Sequence, residues 1–205
     1  LHRFLAELPR TLREAGRQVC GQVVLTTNYD DVLEQAFAEA EEPVDVVTYE
    51  ARRNEQRFVH VRPDGERVGI ADAARYREFS LEERSVILKI HGDVDRDDSE
   101  RDTYVITEDH YIDYLTKTDV SQLIPAELLV KLTRSRFLFL GYSMQDWNLR
   151  VILHRIWGQQ PLSYKSWAIQ RSPNEIEQEL WEARGVDVLD IPLDQYVKDL
   201  EKALE

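Results

Sequence analysis

The sequence predicts an α/β fold, a doubly wound and mainly parallel sheet interrupted by helical and hairpin insertions. Three observations carry that prediction. Short β-branched or apolar runs recur along the chain, amphipathic helical stretches alternate with them, and Val86-Ile87-Leu88-Lys89-Ile90 is apolar enough to lie in a sheet covered on both faces. The chain has 205 residues, 42% hydrophobic and 32% charged, which suits one domain over 1–205 with a buried core and excludes a disordered chain.

The elements follow in order. Residues 1–19 read as a helix with Phe4, Leu5, Leu8 and Leu12 on one face and Pro9 interrupting it. Val23-Val24-Leu25-Thr26 is a strand feeding a helix over Asp30–Ala40, where Val32, Leu33, Ala36, Phe37 and Ala40 fall at helical spacing. Val44–Tyr49, Val86–Ile90 and Phe137–Leu140 are the next strands. The last of these leads through Gly141 into a helical pattern with Leu149, Ile152, Leu153 and Ile156. Trp167–Ile169 and Val186–Ile191 complete the strands, separated and followed by acidic helices at about Asn174–Ala183 and Asp194–Leu204.

Two stretches, about 50–85 and 93–133, break the alternation and read as insertions. The first holds Phe58–Val61, the turn residues Pro63-Asp64-Gly65 and Arg67–Ile70, the pattern of a β-hairpin. The second opens with Asp93–Asp102, six acids against two arginines, which reads as a solvated loop. It continues through Thr103–Thr107 into a helix carrying Tyr111 and Tyr114. No internal repeat and no low-complexity tract is present.

Composition excludes several classes. Twenty-six basic against 39 acidic residues give a net charge of −13, which disfavours direct nucleic-acid binding by this domain. No apolar run reaches the ~20 residues of a membrane span and no secretory leader opens the chain, so no membrane partner is expected and the sequence reads as cytoplasmic. A lone cysteine, Cys20, rules out an intrachain disulfide and a four-cysteine zinc site. The chain begins at Leu1 and its one methionine is Met144, so it reads as a piece of a longer polypeptide.

Ligands of open α/β sheets bind beyond the carboxyl ends of the strands. Three such positions stand out: Thr26-Thr27-Asn28-Tyr29-Asp30, His91-Gly92-Asp93 and Gly141-Tyr142-Ser143. Singly, each has an ordinary structural role. Asn28 or Asp30 can cap a helix, His91 can be a satisfied buried histidine, and Gly141 can turn the chain with Ser143 as the next cap. Together they would line one edge of one sheet with an amide, a carboxylate, an imidazole and a glycine-serine turn.

These residues resemble the sirtuins, whose T-x-N-x-D, His-Gly and Gly-[Thr/Tyr]-Ser motifs occur here in the family's order. The bacterial anti-phage branch is further suggested by Gly141-Tyr-Ser-Met-Gln-Asp146-Trp-Asn148-Leu-Arg150, and by Thr107-Glu-Asp-His-Tyr111 ahead of Tyr114-Leu115. The resemblance spans residues 20 to 190 or so and implies a Rossmann-like sheet. Two departures limit it. The family's structural zinc uses four cysteines after the His-Gly motif, whereas Cys20 precedes it, so no zinc is expected. The family's opening strand and glycine-rich G-A-G-x-S loop have no match before Asn28, so that strand and loop lie upstream of Leu1 or the domain is degenerate.

The resemblance implies an enzyme with NAD as its substrate: an NAD+ glycohydrolase releasing nicotinamide and ADP-ribose, serving anti-phage defence by cofactor depletion. Asn28 would position the ribose hydroxyls or the attacking water, and His91 would be the base. Asp30 would hold the nicotinamide carboxamide, and Ser143 with Gly141 would meet the adenosine-side ribose or phosphates. Thr27 and Tyr142 would line the same site. Asp146 and Asn148 are weaker candidates, since an acid and an amide near a helix start also cap it. The rivals are a non-catalytic NAD or ADP-ribose sensor or scaffold, and a zinc-independent deacylase or ADP-ribosyltransferase. Other domains or subunits of a defence complex and a homo-oligomer are the implied partners. The apolar face of residues 4–12 and the 50–85 insertion are candidate contact surfaces, with core packing the alternative for the first.

Overall fold

The computed structural model describes residues 1–17, 21–52, 55–94, 103–104, 123–142, 147–157 and 164–204, which divide into two compact units, Leu1–Leu128 and Leu129–Glu205. Helix α1 (His2–Glu14) opens the first unit and continues through Pro9. Proline cannot donate to the carbonyl four residues back, so a partner must come from elsewhere. Gln22 Nε2 supplies it, donating to the Leu5 carbonyl at 2.6 Å. The expected break at Pro9 is therefore absent, because a side chain outside the helix satisfies the oxygen that the ring leaves open.

Strand β1 (Val23–Thr26) leads to α2 (Val32–Glu39), and α1 packs against α2. Arg10 donates to the Ala40 carbonyl at the end of α2 and, with Arg13, pairs with Glu42. Ala6, Leu33, Ala36, Phe37, Ala40, Val46 and Ile87 form the core beneath the two helices. The apolar face of residues 4–12 thus contributes Phe4 and Ala6 to the interior.

The first unit's sheet has the order β1-β5-β2-β3-β4, with β2 (Val44–Arg52), β3 (Glu55–Val61), β4 (Arg67–Gly69) and β5 (Ser85–Lys89). Strand β5 lies between β1 and β2 and is parallel to both. Every residue of β5 is buried, as its unbroken apolar run requires. Strands β3 and β4 add antiparallel to β2, giving the expected hairpin, although β2 runs past Tyr49 to Arg52 to build it. A short ribbon of β6 (Gly92–Asp93) and β7 (Thr103–Tyr104) packs on β2. The helix expected around Tyr111 and Tyr114, the acidic run after Val94 and Cys20 lie outside the described residues.

Helix α3 (Ala126–Arg134), inside the stretch expected as an insertion, carries the chain into the second unit. There β8 (Leu138–Leu140), β9 (Ser166–Gln170) and β10 (Val186–Asp190) form an all-parallel sheet of order β10-β9-β8. Helices α4 (Trp147–Trp157), α5 (Glu175–Glu182) and α6 (Leu193–Leu204) complete it. Asn174 caps α5 by accepting from the Ile176 amide at 2.9 Å. Phe139, Leu153, Ala168, Val186 and the fully buried Trp181 make its core. The α/β class matches the expectation in both units; the second unit's sheet is all parallel, while in the first the parallel strands β1, β5 and β2 are extended by the antiparallel hairpin.

One polar network sits inside the first unit. His60 on β3 and Asp45 on β2 are fully buried, with His60 Nε2 3.0 Å from Asp45 Oδ1. Arg84 Nε donates to Asp45 Oδ2 at 3.0 Å, and His60 Nδ1 lies 2.8 Å from the Tyr76 hydroxyl. Burial pushes the Asp45 carboxyl up, but hydrogen bonds from His60 and Arg84 prevail and hold it below its ordinary value. Burial pushes the Tyr76 hydroxyl up to about 12, so it serves as a neutral partner.

A lowered carboxylate pKa stabilises the fold above the unfolded value of about 3.9, and that contribution disappears as pH falls through the folded value. Asp45→Asn is therefore expected to lose about 1–3 kcal/mol at pH 7. Denaturant melts across pH should show the variant and wild type converging as pH falls through the folded value; a constant difference down to the acid limit would refute the assignment.

Candidate functional site

The parallel pairing of β1 with β5 places two of the sequence motifs side by side. Their last register pair is Thr26 with Lys89, and Asn28 and His91 each lie two residues beyond it. The strands stay linked past that point. The Ile90 amide donates to the Thr26 carbonyl at 3.1 Å, and the Val94 amide donates to the Tyr29 carbonyl at 3.0 Å.

The T-T-N-Y-D segment forms a tight turn into α2. The Asn28 backbone amide donates to Thr26 Oγ1 at 3.0 Å; Asn28 is exposed and Thr27 half-buried. Asp30 Oδ1 accepts from the Val32 amide at 3.2 Å, a bond within the turn; the N-cap position of α2 is Asp31, so Asp30 is not the helix cap. Asp31 accepts from the Gln35 side chain at 2.8 Å.

On the neighbouring strand end, His91 is buried, with 4% of its surface exposed. Gly92 follows at φ +96°, a conformation that side-chain-bearing residues rarely adopt, and it turns the chain into the β6–β7 ribbon. Asp93 was expected to open a solvated loop. Instead it is 14% exposed and bonded to a buried cation.

That cation is Lys89, at the end of β5 and wholly inside the protein. Its ammonium donates to Glu34 Oε1 at 2.7 Å, to the Asp30 carbonyl at 2.6 Å, to the Tyr29 carbonyl at 3.4 Å and to Asp93 Oδ1. Arg67 Nη1 stands 4.0 Å from the other Asp93 oxygen. Burial pushes the Glu34 carboxyl above its ordinary value against the pull of the Lys89 charge. Sequence reasoning missed Lys89, Glu34 and Asp93 as one group. The available signal was a lysine inside an otherwise apolar strand, which has to find buried acceptors.

The third motif belongs to the second unit. Gly141 follows β8 at φ +70°, a backbone conformation that favours glycine, and a Cβ there would stand 3.3 Å from Leu193 Cδ2, close enough to make that side chain shift. Tyr142 packs against the core around Phe139 and Trp181. Asn148 lies near the start of α4, while Ser143 and Asp146 fall outside the described residues. Asn28, Asp30 and His91 are thus brought to neighbouring strand ends within one unit, and Gly141 and Tyr142 are fixed separately. Among the described residues no group of three or more His, Cys, Asp or Glu side chains could hold a metal ion.

Residues 22–189 match the model of the SIR2-like domain. The chain belongs to the SIR2-like domain family. It is also 26% identical over 172 residues to defense-associated sirtuin 2 of Bacillus subtilis, an alignment covering 82% of this chain and 14% of that protein. The SIR2-like domain described here therefore corresponds to a small part of that relative. No helix among its described residues is long and apolar enough to cross a membrane.

The strand end is expected to depend on Gly92. Gly92→Ala forces a side chain into a left-handed backbone, at a cost of about 1–2 kcal/mol. Denaturant unfolding should show that loss, and a variant as stable as wild type would show that the turn is not constrained.

Proposed function

We propose that this SIR2-like domain is an NAD+ glycohydrolase that cleaves NAD+ to nicotinamide and ADP-ribose, in anti-phage defence by depletion of the cell's own cofactor. The observation that supports it most is the β1–β5 register, which sets Asn28 and His91 on adjacent strand ends. The motifs that reach that edge are those shared with sirtuins, and the relative in Bacillus subtilis is named for defence. Because NAD+ is an abundant cytoplasmic cofactor, the reading places the activity in the cytoplasm.

In this reaction the bond between ribose C1′ and the nicotinamide nitrogen breaks, and its electron pair leaves with nicotinamide. The sugar passes through an oxocarbenium-like state, which water captures at C1′. Asn28 would hold the ribose hydroxyls or that water, and His91 would accept the water's proton. Asp30 would receive the nicotinamide carboxamide, with Thr27 beside it. Gly141, Tyr142 and Ser143, followed by Asp146 and Asn148, would serve the adenosine half. The single cysteine leaves no four-cysteine zinc platform for a protein substrate, which favours water as the acceptor over an acylated peptide. Other domains or subunits, and association of copies, would supply control.

The burial of His91 favours a second reading, in which the domain binds NAD or ADP-ribose without cleaving it. Nicotinamide release distinguishes the two. With full-length protein and its activator, His91→Ala and Asn28→Ala are each expected to lower turnover by about 100-fold or more. Circular dichroism should confirm that both variants fold. Heat of NAD binding in calorimetry without nicotinamide release would establish the second reading, and turnover unchanged in His91→Ala would end the first.

A further inference from the structure

We infer that Lys89 is a positioning residue: its ammonium clamps the Tyr29-Asp30 turn to the His91-Gly92-Asp93 segment and so fixes the spacing of Asn28 and His91. The inference rests on the proposed role of those two residues, but its first test does not.

The geometry is specific to a clamp. Lys89 is the last residue of β5 and pairs with Thr26, the last residue of β1, so its backbone sits where both motifs begin. Its side chain is fully buried, and its three N–H bonds spread over four acceptors. Two of these are main-chain carbonyls of the Asn28 turn, one is Asp93 just beyond His91, and one is Glu34 in the first turn of α2. Ordinary satisfaction of a buried cation needs acceptors, not acceptors drawn from both motifs at once. The Tyr29 carbonyl links the two sides a second time, since it also accepts the Val94 amide at 3.0 Å. Arg67, 4.0 Å from Asp93, offsets the second carboxylate so that two cations face two acids. Within the Asn28 turn itself, the Asn28 amide donates to Thr26 Oγ1 and the Val32 amide to Asp30 Oδ1, and both of these bonds are local to the turn.

Amide hydrogen exchange on Lys89→Met reads the clamp without any activity. The Val94 amide, bonded to Tyr29, is expected to exchange about tenfold faster or more, while the Val86 amide, bonded to the Gln22 carbonyl at the other end of β5, keeps its wild-type rate. Equal acceleration of both would mean general loosening and would overturn the inference, as would an unchanged Val94. If Lys89→Met does not fold, Glu34→Gln, at a side chain 22% exposed, carries the same comparison with a smaller effect in the same direction.

Turnover supplies the second test. Lys89→Met should lower kcat by about 100-fold with little change in KM, because a small misplacement of reacting groups acts on the chemical step. In an Asn28→Ala background the same substitution should cost far less, since the residue it positions is gone. Full additivity would overturn the positioning role. Wild-type protein that releases no nicotinamide would sink the hydrolase reading alone, leaving the exchange pattern to decide the clamp.

Discussion

An ammonium buried without partners would cost far more than any single packing contact returns, and the strand end of the first unit is arranged around that constraint. Lys89 must be met by acceptors, and the fold brings four of them to one point. Meeting the constraint decides where the turn after β1 lies, keeps Asp93 from drifting into solvent and draws the first turn of α2 over the sheet. Removing one partner of such a buried group typically costs about 3–5 kcal/mol, comparable with emptying a Phe from a core. An apolar residue at position 89 would pack as well, yet the side-chain link from the Tyr29-Asp30 turn to Asp93 would then be lost.

The framework was legible because its signals are local. Residues Val23–Thr26 were read as β1 with the observed bounds, since four β-branched or apolar residues between polar turns leave little choice. The β3–β4 hairpin and the acidic helices α5 and α6 were legible for the same reason, turn residues and helical spacing being close in sequence. What escaped were consequences of residues far apart. Pro9 is tolerated because of Gln22, and a buried Asp45 becomes plausible only once His60 and Arg84 are seen across the sheet. Asp93 looked like the first acid of a solvated run, and its partner Lys89 like one polar residue in an apolar strand. Neither periodicity nor composition encodes such pairings.

The site was legible in a different way. Strand-end logic and motif order pointed to Asn28, Asp30 and His91, and the register sets them on adjacent strands. Their environments nevertheless differ: Asn28 is exposed, Asp30 accepts the Val32 amide within the turn and His91 is buried. A buried imidazole beside an exposed amide suits a division of labour in which the amide meets an arriving group and the imidazole, screened from bulk water, handles a proton. The same burial suits a purely ligand-binding domain, which is why the chemistry, not the fold, separates the two readings.

Charge narrows what this strand end is suited to hold. With a net charge of −13 the chain repels anions at long range, and among the described residues Lys89 is committed to Glu34 and Asp93, while Arg67 stands 4.0 Å from Asp93. The amide of Val32 at the start of α2 is taken by Asp30. Among the described residues a pyrophosphate would therefore find little to attract it beside Asn28 and His91. A positively charged nicotinamide ring, or the oxocarbenium that follows its departure, meets the opposite situation, because Asp30 and Asp31 offer negative charge within a preformed turn. Under the proposed reaction this edge serves the nicotinamide-ribose half of the substrate, and recognition of the phosphates falls to other parts of the protein.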